Sequence, residues 1–219
     1  MNTEKAKEIL EGKLVRQVVS VRDCPLKGFW EVFTDVGIMY LSDDGHQLIQ
    51  GSVIDIQPPT IVNLTESSLC QHRVDILSSL QDDIILYEAD QMEYEVTVFI
   101  DMSQVYCRKL YRELSEYLRL GISVGFLAHP EFGGDTPIAA DMETIWTSKN
   151  PKEELYNSIN GISSVAPAAT TPNVQRQLEL AALMRVHKVP SIILPDGALV
   201  QGYTFPNDLL KMLQQLPKH

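Results

Sequence analysis

Three residues could carry nucleophilic or redox chemistry, Cys24, Cys70 and Cys107, and their odd number excludes complete pairing within one chain. A thiol attacks only as its thiolate, which needs an electropositive, accessible setting such as a helix N-terminus. Cys107 lies early in a helical pattern. Its sequence supports two readings: a single thiol that forms mixed disulfides with other proteins, or a small apolar residue in an inward stripe with Leu110, Leu114 and Leu118. Cys24 and Cys70 read as buried or incidental thiols, and a bond between them is left open. The histidines, His46, His72, His129, His187 and His219, are scattered singly, with no spacing that ligates a metal, so no metal or cofactor is expected. Phe132-Gly133-Gly134-Asp135 is too short for a phosphate loop, and no nucleophile elbow or dinucleotide fingerprint is present.

The elements that must position these residues fall into two halves. Short apolar runs at 14–21, 29–33, 37–41 and 47–56 read as a small antiparallel sheet, with Asp44-Gly45 supplying a hairpin turn. Gln57-Pro58-Pro59-Thr60 stops it, because proline donates no ladder hydrogen bond. Thr65 is placed as the cap of a helix running to about Asp82, with Leu69, Ile76, Leu77 and Leu80 near one face. From Tyr94 the pattern alternates: a strand over 94–100, a helix over 105–119 ended by Gly121, and a strand over 122–127 form a β-α-β unit. Helical sequence with Ile145 and Trp146 as core fills 135–160, and a polar segment at 163–172 precedes a helix over 174–186. Val189-Pro190 opens a strand at 191–194, Pro195-Asp196-Gly197 turns it into a hairpin, and Pro206 starts a last helix with Leu209, Leu210, Leu213 and Leu216 on one face.

Composition sets the outer limits. At 219 residues with 44% hydrophobic and 21% charged residues, the chain is long enough for a substantial core, which excludes disordered, collagen-like and disulfide-dense miniprotein classes. A formal net charge of −11 disfavours nucleic acid or an anionic membrane as the main partner. No stretch approaches the ~18 consecutive apolar residues of a membrane span, and the charged start, Met1 to Glu8, shows no signal-peptide core.

One ordered set of short motifs runs through both halves. In the first half it comprises Gly37 to Gly45 and Ile49-Gln50-Gly51; in the second it comprises Val98-Phe99-Ile100-Asp101, Tyr106-Cys107, Ile145-Trp146, Ser164-Val165-Ala166-Pro167-Ala168, Val189-Pro190 and Gly202-Tyr203. In the order and spacing of these residues, the chain resembles the DsbC/DsbG family of periplasmic disulfide isomerases and chaperones. The resemblance implies an α+β N-terminal dimerisation domain with a cystatin-like small sheet over 1–60, a linker helix over 61–83, and a thioredoxin-like α/β domain with a helical insertion over 84–219. It also implies a homodimer in the periplasm that binds client proteins, and a cis bond at Val189-Pro190.

The resemblance further implies a Cys-x-x-Cys motif at the start of the first helix of the second domain. The corresponding tetrad here is Gln104-Val105-Tyr106-Cys107, and a carboxamide cannot attack a sulfur. Two further family cysteines correspond to Thr147 and Thr170. The expectation is therefore a redox-inactive relative that binds unfolded clients through a surface including Tyr106, Val189 and Pro190, with Phe132 and Tyr203 as further candidates. Cys107 stands as a remnant catalytic residue and Gln104 as the replacement of the nucleophile. The alternatives are thiol:disulfide exchange through Cys107 alone and a structural module of an envelope assembly.

Overall fold

The computed structural model describes all residues except 2, 15, 16, 25, 58, 60, 163–165 and 217–219. The chain divides into two compact units, one of residues 1–72 with 182–185 and one of residues 73–181 with 186–219.

In the first unit a helix, α1 (Thr3–Leu14), precedes a sheet of β1 (Val18–Asp23), β2 (Phe29–Thr34), β3 (Gly37–Ser42) and β4 (Leu48–Ile49), antiparallel throughout in that order. The sequence reading has no helix at 3–14, because charged residues interrupt its short apolar stripe. Ala6 and Leu10 from that stripe nonetheless form a closed cluster with Val18, Val32 and Leu41. The run expected as one strand over 47–56 is broken instead. β4 ends at Ile49, and after Gly51-Ser52 the chain forms β5 (Ile54–Asp55), which pairs antiparallel with β6 (Val62–Asn63) in a separate two-stranded ribbon. Pro58 and Thr60 of the expected strand stop lie outside the described residues.

Helix α2 (Leu64–Ser78) starts two residues earlier than a cap at Thr65 requires, and Thr65 does not cap it. The cap is Asn63, whose side-chain oxygen accepts from the Glu66 amide at 3.1 Å. The Thr65 hydroxyl instead bonds to the Tyr40 hydroxyl and accepts from the Val53 amide at 2.8 Å. A single 3-10 turn, Gln81–Asp83, replaces the expected last helical turn.

The second unit is built on a five-stranded sheet in the order β11-β10-β8-β9-β7. Its members are β7 (Ile85–Tyr87), β8 (Tyr94–Ile100), β9 (Ile122–Ala128), β10 (Ser191–Ile193) and β11 (Leu199–Gln201). Only β8 and β9 run parallel, from Tyr94 beside Ile122 to Ile100 beside Ala128, and every residue of β9 is buried. The short edge strand β7, antiparallel to β9, escapes the sequence reading because three residues show no periodicity.

The crossover between β8 and β9 is two helices rather than one: α3 (Val105–Arg112) and α4 (Leu114–Arg119) meet at Glu113, whose ψ of 7° departs from the helix. Gly121, at φ +78°, turns the chain into β9. The insertion comprises α5 (Pro137–Trp146) and α6 (Pro151–Asn160); α7 (Pro172–Leu183) and α8 (Pro206–Leu213) complete the unit. Ile100, Leu110, Tyr117, Phe126, Met142, Ile145, Ile192 and Leu209 belong to one continuous buried core.

Candidate functional site

The topology gathers the sequence-predicted residues at one edge of this sheet. Parallel strands β8 and β9 end together at Ile100 and Ala128, while antiparallel β10 begins there, with Ser191 beside Phe99 and Gln201 beside Ser191. The carboxyl edge of parallel strands next to a helix N-terminus is where α/β folds assemble sites. Four segments converge on it: the turn into α3, the chain after β9, the Val189-Pro190 loop and the chain after β11.

Asp101, fully buried, organises the first two. One carboxylate oxygen accepts from the amide and hydroxyl of Ser103, both at 2.6 Å, and the other accepts from the Glu131 amide at 2.9 Å. This joins the turn before α3 to the segment after β9. Gln104 occupies the N-cap position of α3 with extended backbone, but its side chain caps nothing in the helix. Its carboxamide nitrogen donates to the Glu131 carboxylate.

Cys107 lies in the first turn of α3 at 1% exposure, and none of Cys24, Cys70 and Cys107 is joined in a disulfide. Burial pushes its pKa up to about 12, reinforced by the charges of Asp101 and Glu131 and opposed by the Asp101 backbone amide. Near pH 7 a thiol of that kind is ionised in only about one molecule in 10^5. Where a thiolate-generating site would need positive charge, this one holds two carboxylates.

Val105 and Tyr106, at 75% and 62% exposure, stand out on the opposite side of the same helical turn. The Tyr106 ring stacks on Tyr203, centroids 6.2 Å apart, and Phe205 meets Tyr203 edge-on at 5.1 Å. Tyr203 is held by its hydroxyl, which donates to Glu113, and the Tyr117 hydroxyl donates to the neighbouring Thr204 carbonyl. Burial and the adjacent Glu113 carboxylate raise the Tyr203 pKa, so this phenol stays protonated. The Val189-Pro190 bond is cis, and the Pro190 carbonyl accepts from the Gly202 amide at 2.8 Å, which sets Tyr203 one residue from that loop. Among the described residues, neither the amide nor the carbonyl of Val189 has a hydrogen-bond partner.

Of the residues singled out from sequence, Tyr106 and Tyr203 are thus in contact, and Pro190 is bonded to Gly202, the neighbour of Tyr203, while Cys107 faces the core and Phe132 is 78% exposed on the segment after Glu131. Thr147 and Thr170 are exposed; the Thr147 hydroxyl donates to the Glu143 carbonyl at 2.7 Å. The chain at 166–168 is tied to α5 by the Ala168 amide on the Ala140 carbonyl and the Thr144 hydroxyl on the Ala166 carbonyl; Ser164 and Val165 lie outside the described residues. Glu131, Lys109, Glu113 and Phe205 were not singled out from sequence, and Asp101 entered only as part of the Val98-Phe99-Ile100-Asp101 resemblance, without a site role. The available signal was position: Asp101 and Glu131 both follow the ends of parallel strands.

Among the described residues there is no group of three His, Cys, Asp or Glu side chains that could hold a metal, and no helix long and apolar enough to cross a membrane.

Comparison with known proteins agrees with this architecture. Residues 1–66 match the N-terminal domain of disulfide bond isomerase proteins, and residues 80–217 match a thioredoxin-like domain. The chain is 34% identical over 201 residues to the thiol:disulfide interchange protein DsbC of Dickeya dadantii, covering 92% of this chain and 82% of that one. It is 35% identical over 198 residues to DsbC of Haemophilus influenzae, covering 90% and 84%. Among solved structures, a disulfide interchange protein from Neisseria gonorrhoeae superposes with a TM-score of 0.52 at 20% identity, over 62% of this chain and 98% of that chain, and shares the fold. With an N-terminal domain of the isomerase type, a thioredoxin-like domain and about a third of its residues in common over nearly its whole length, the chain belongs to the DsbC family of thiol:disulfide interchange proteins.

Proposed function

We propose that this DsbC-family protein binds extended or partly folded client proteins without exchanging disulfides with them. The observation that carries the reading is the α3 N-terminus: Gln104 stands there hydrogen-bonded to Glu131, and the remaining thiol, Cys107, is buried beneath it. Exchange needs an exposed thiolate. A carboxamide has no sulfur to offer, and a thiol at 1% exposure beside two carboxylates is neither ionised nor reachable.

The binding half of the site retains what a client strand requires. The Val189 amide and carbonyl are available for strand addition, and Val105, Tyr106 and Phe205 supply exposed apolar and aromatic surface. Tyr106, Val189 and Pro190 are the client contacts. The division into a dimerisation domain over 1–60, a linker over 61–83 and a client-binding domain over 84–219 belongs to the same reading, as do a homodimer made through the first domain and a periplasmic location.

The test pairs two assays on the purified protein. Suppression of aggregation of a chemically denatured client, together with insulin reduction and scrambled-ribonuclease reactivation at the uncatalysed rate, is the expected result. Reactivation near the rate of a two-cysteine isomerase, lost in Cys107→Ser, would replace this reading with exchange through a single thiol.

A further inference from the structure

The aromatic patch beside the Val189 loop already holds a positive charge. Lys109 Nζ lies 4.4 Å from the centroid of the Tyr203 ring and 4.7 Å from that of Phe205, and 3.9 Å from the Glu113 carboxylate. Two ring faces and one carboxylate around a cation form an aromatic cage.

Helix geometry alone does not explain this placement. Lys109 and Glu113 are an i,i+4 pair with lysine on the N-terminal side, the weaker orientation, and both side chains are partly exposed, at 40% and 28%. The cage also does not depend on Lys109 for its shape. Glu113 is anchored by the Tyr203 hydroxyl, the chain at Thr204 by the Tyr117 hydroxyl, and Phe205 by its place at the N-cap of α8. Lysine is a flexible tether that can leave, whereas these partners stay where the fold puts them.

We infer that this cage is a recognition pocket for an arginine or lysine side chain of an extended client segment, and that Lys109 is its resident, displaceable occupant. The inference rests on the client-binding reading above and narrows it to a substrate class. An extended segment paired with the Val189 backbone runs beside Gly202 and Tyr203, since the Pro190 carbonyl and the Gly202 amide are bonded to each other. Charge complementarity selects the occupant: the ring faces and Glu113 both attract a cation, and the chain's net charge of −11 draws basic segments toward it. Arginine fits better than lysine, because its planar guanidinium stacks on a ring while bonding to a carboxylate.

Fluorescence anisotropy with two labelled decapeptides of extended sequence, identical except for a central arginine or norleucine, tests this in the full-length protein. The expected result is tighter binding of the arginine peptide by about two- to fivefold, the range of an exposed cation–π contact. Lys109→Met empties the cage while keeping an apolar stem, and enlarges that preference. Phe205→Leu and Glu113→Gln each shrink it; both alter partly exposed side chains, so a fold failure in one leaves the other as the measurement. Equal affinities for the two peptides, unchanged in Lys109→Met, overturn the cation pocket and leave client binding standing. Binding of neither peptide removes both.

Discussion

The two halves of the sheet edge have opposite characters. On the side of β8 and β9, Asp101, Ser103, Gln104 and Glu131 form a closed polar knot in which the strand-end carboxylates satisfy main-chain and side-chain donors. On the side of β10 and β11, Tyr203 meets both Tyr106 and Phe205, near a Val189 backbone that has no hydrogen-bond partner among the described residues. In the function proposed above, the first half occupies the place of the family's thiol chemistry and the second takes the client. The difference shows how the two could be separated: the carboxylates beside Cys107 oppose a thiolate, while the aromatic surface next to them is held by its own hydrogen bonds.

The strongest way to break this contrast is to return a thiol to the knot. Gln104→Cys alone restores little isomerase activity, since Glu131 beside the new sulfur opposes its ionisation. Gln104→Cys combined with Glu131→Gln exceeds the single variant at least tenfold in scrambled-ribonuclease reactivation at pH 7, about 1.4 kcal/mol or more in the barrier. Equal activities would remove Glu131 from the explanation.

On stability, as distinct from activity, the largest effect is that of Asp101→Ala, which strands three donors and costs about 3 kcal/mol in urea unfolding. A change below about 1 kcal/mol would show that the knot is not held through Asp101. Cys107 then gives a pH test. Its folded pKa lies above the ordinary thiol value, so its contribution is fully present below pH 9 and is lost as pH rises toward 12, because the unfolded chain ionises first. Wild-type protein loses stability relative to Cys107→Ala by up to about 1.4 kcal/mol per pH unit across that window, read from denaturant midpoints. Parallel curves for the two proteins would place the thiol in contact with water. Smallest is the effect of Cys107→Ser on aggregation suppression near neutral pH, where no change is expected; a loss beyond stability would tie the two halves together.

Much of this molecule is legible residue by residue. The β-branched run 94–100, the stripe through Cys107, Leu110 and Leu114, and the strand 122–127 announce the parallel unit, since each has a clear period of its own. The absence of a thiol at Gln104 is legible as soon as the family order is recognised. Other features hide because their signal is tertiary. β7 is three residues long and exists by pairing with β9, and α1 has a stripe too thin to outweigh its charges until Val18, Val32 and Leu41 cover it. Thr65 looks like a cap, yet its hydroxyl bonds across to Tyr40 and Val53 while Asn63 caps the helix.

By itself the sequence determined the family, the order of the elements and the missing nucleophile, because local periodicity and residue identity are properties of the chain. Only the tertiary structure decided what surrounds Gln104 and Cys107. Gln104 and Glu131 are 27 residues apart, and Lys109 and Phe205 are separated by most of the second unit; closing the sheet is what brings each pair into contact, where one sets a carboxamide on a carboxylate and the other holds the Lys109 ammonium over a ring.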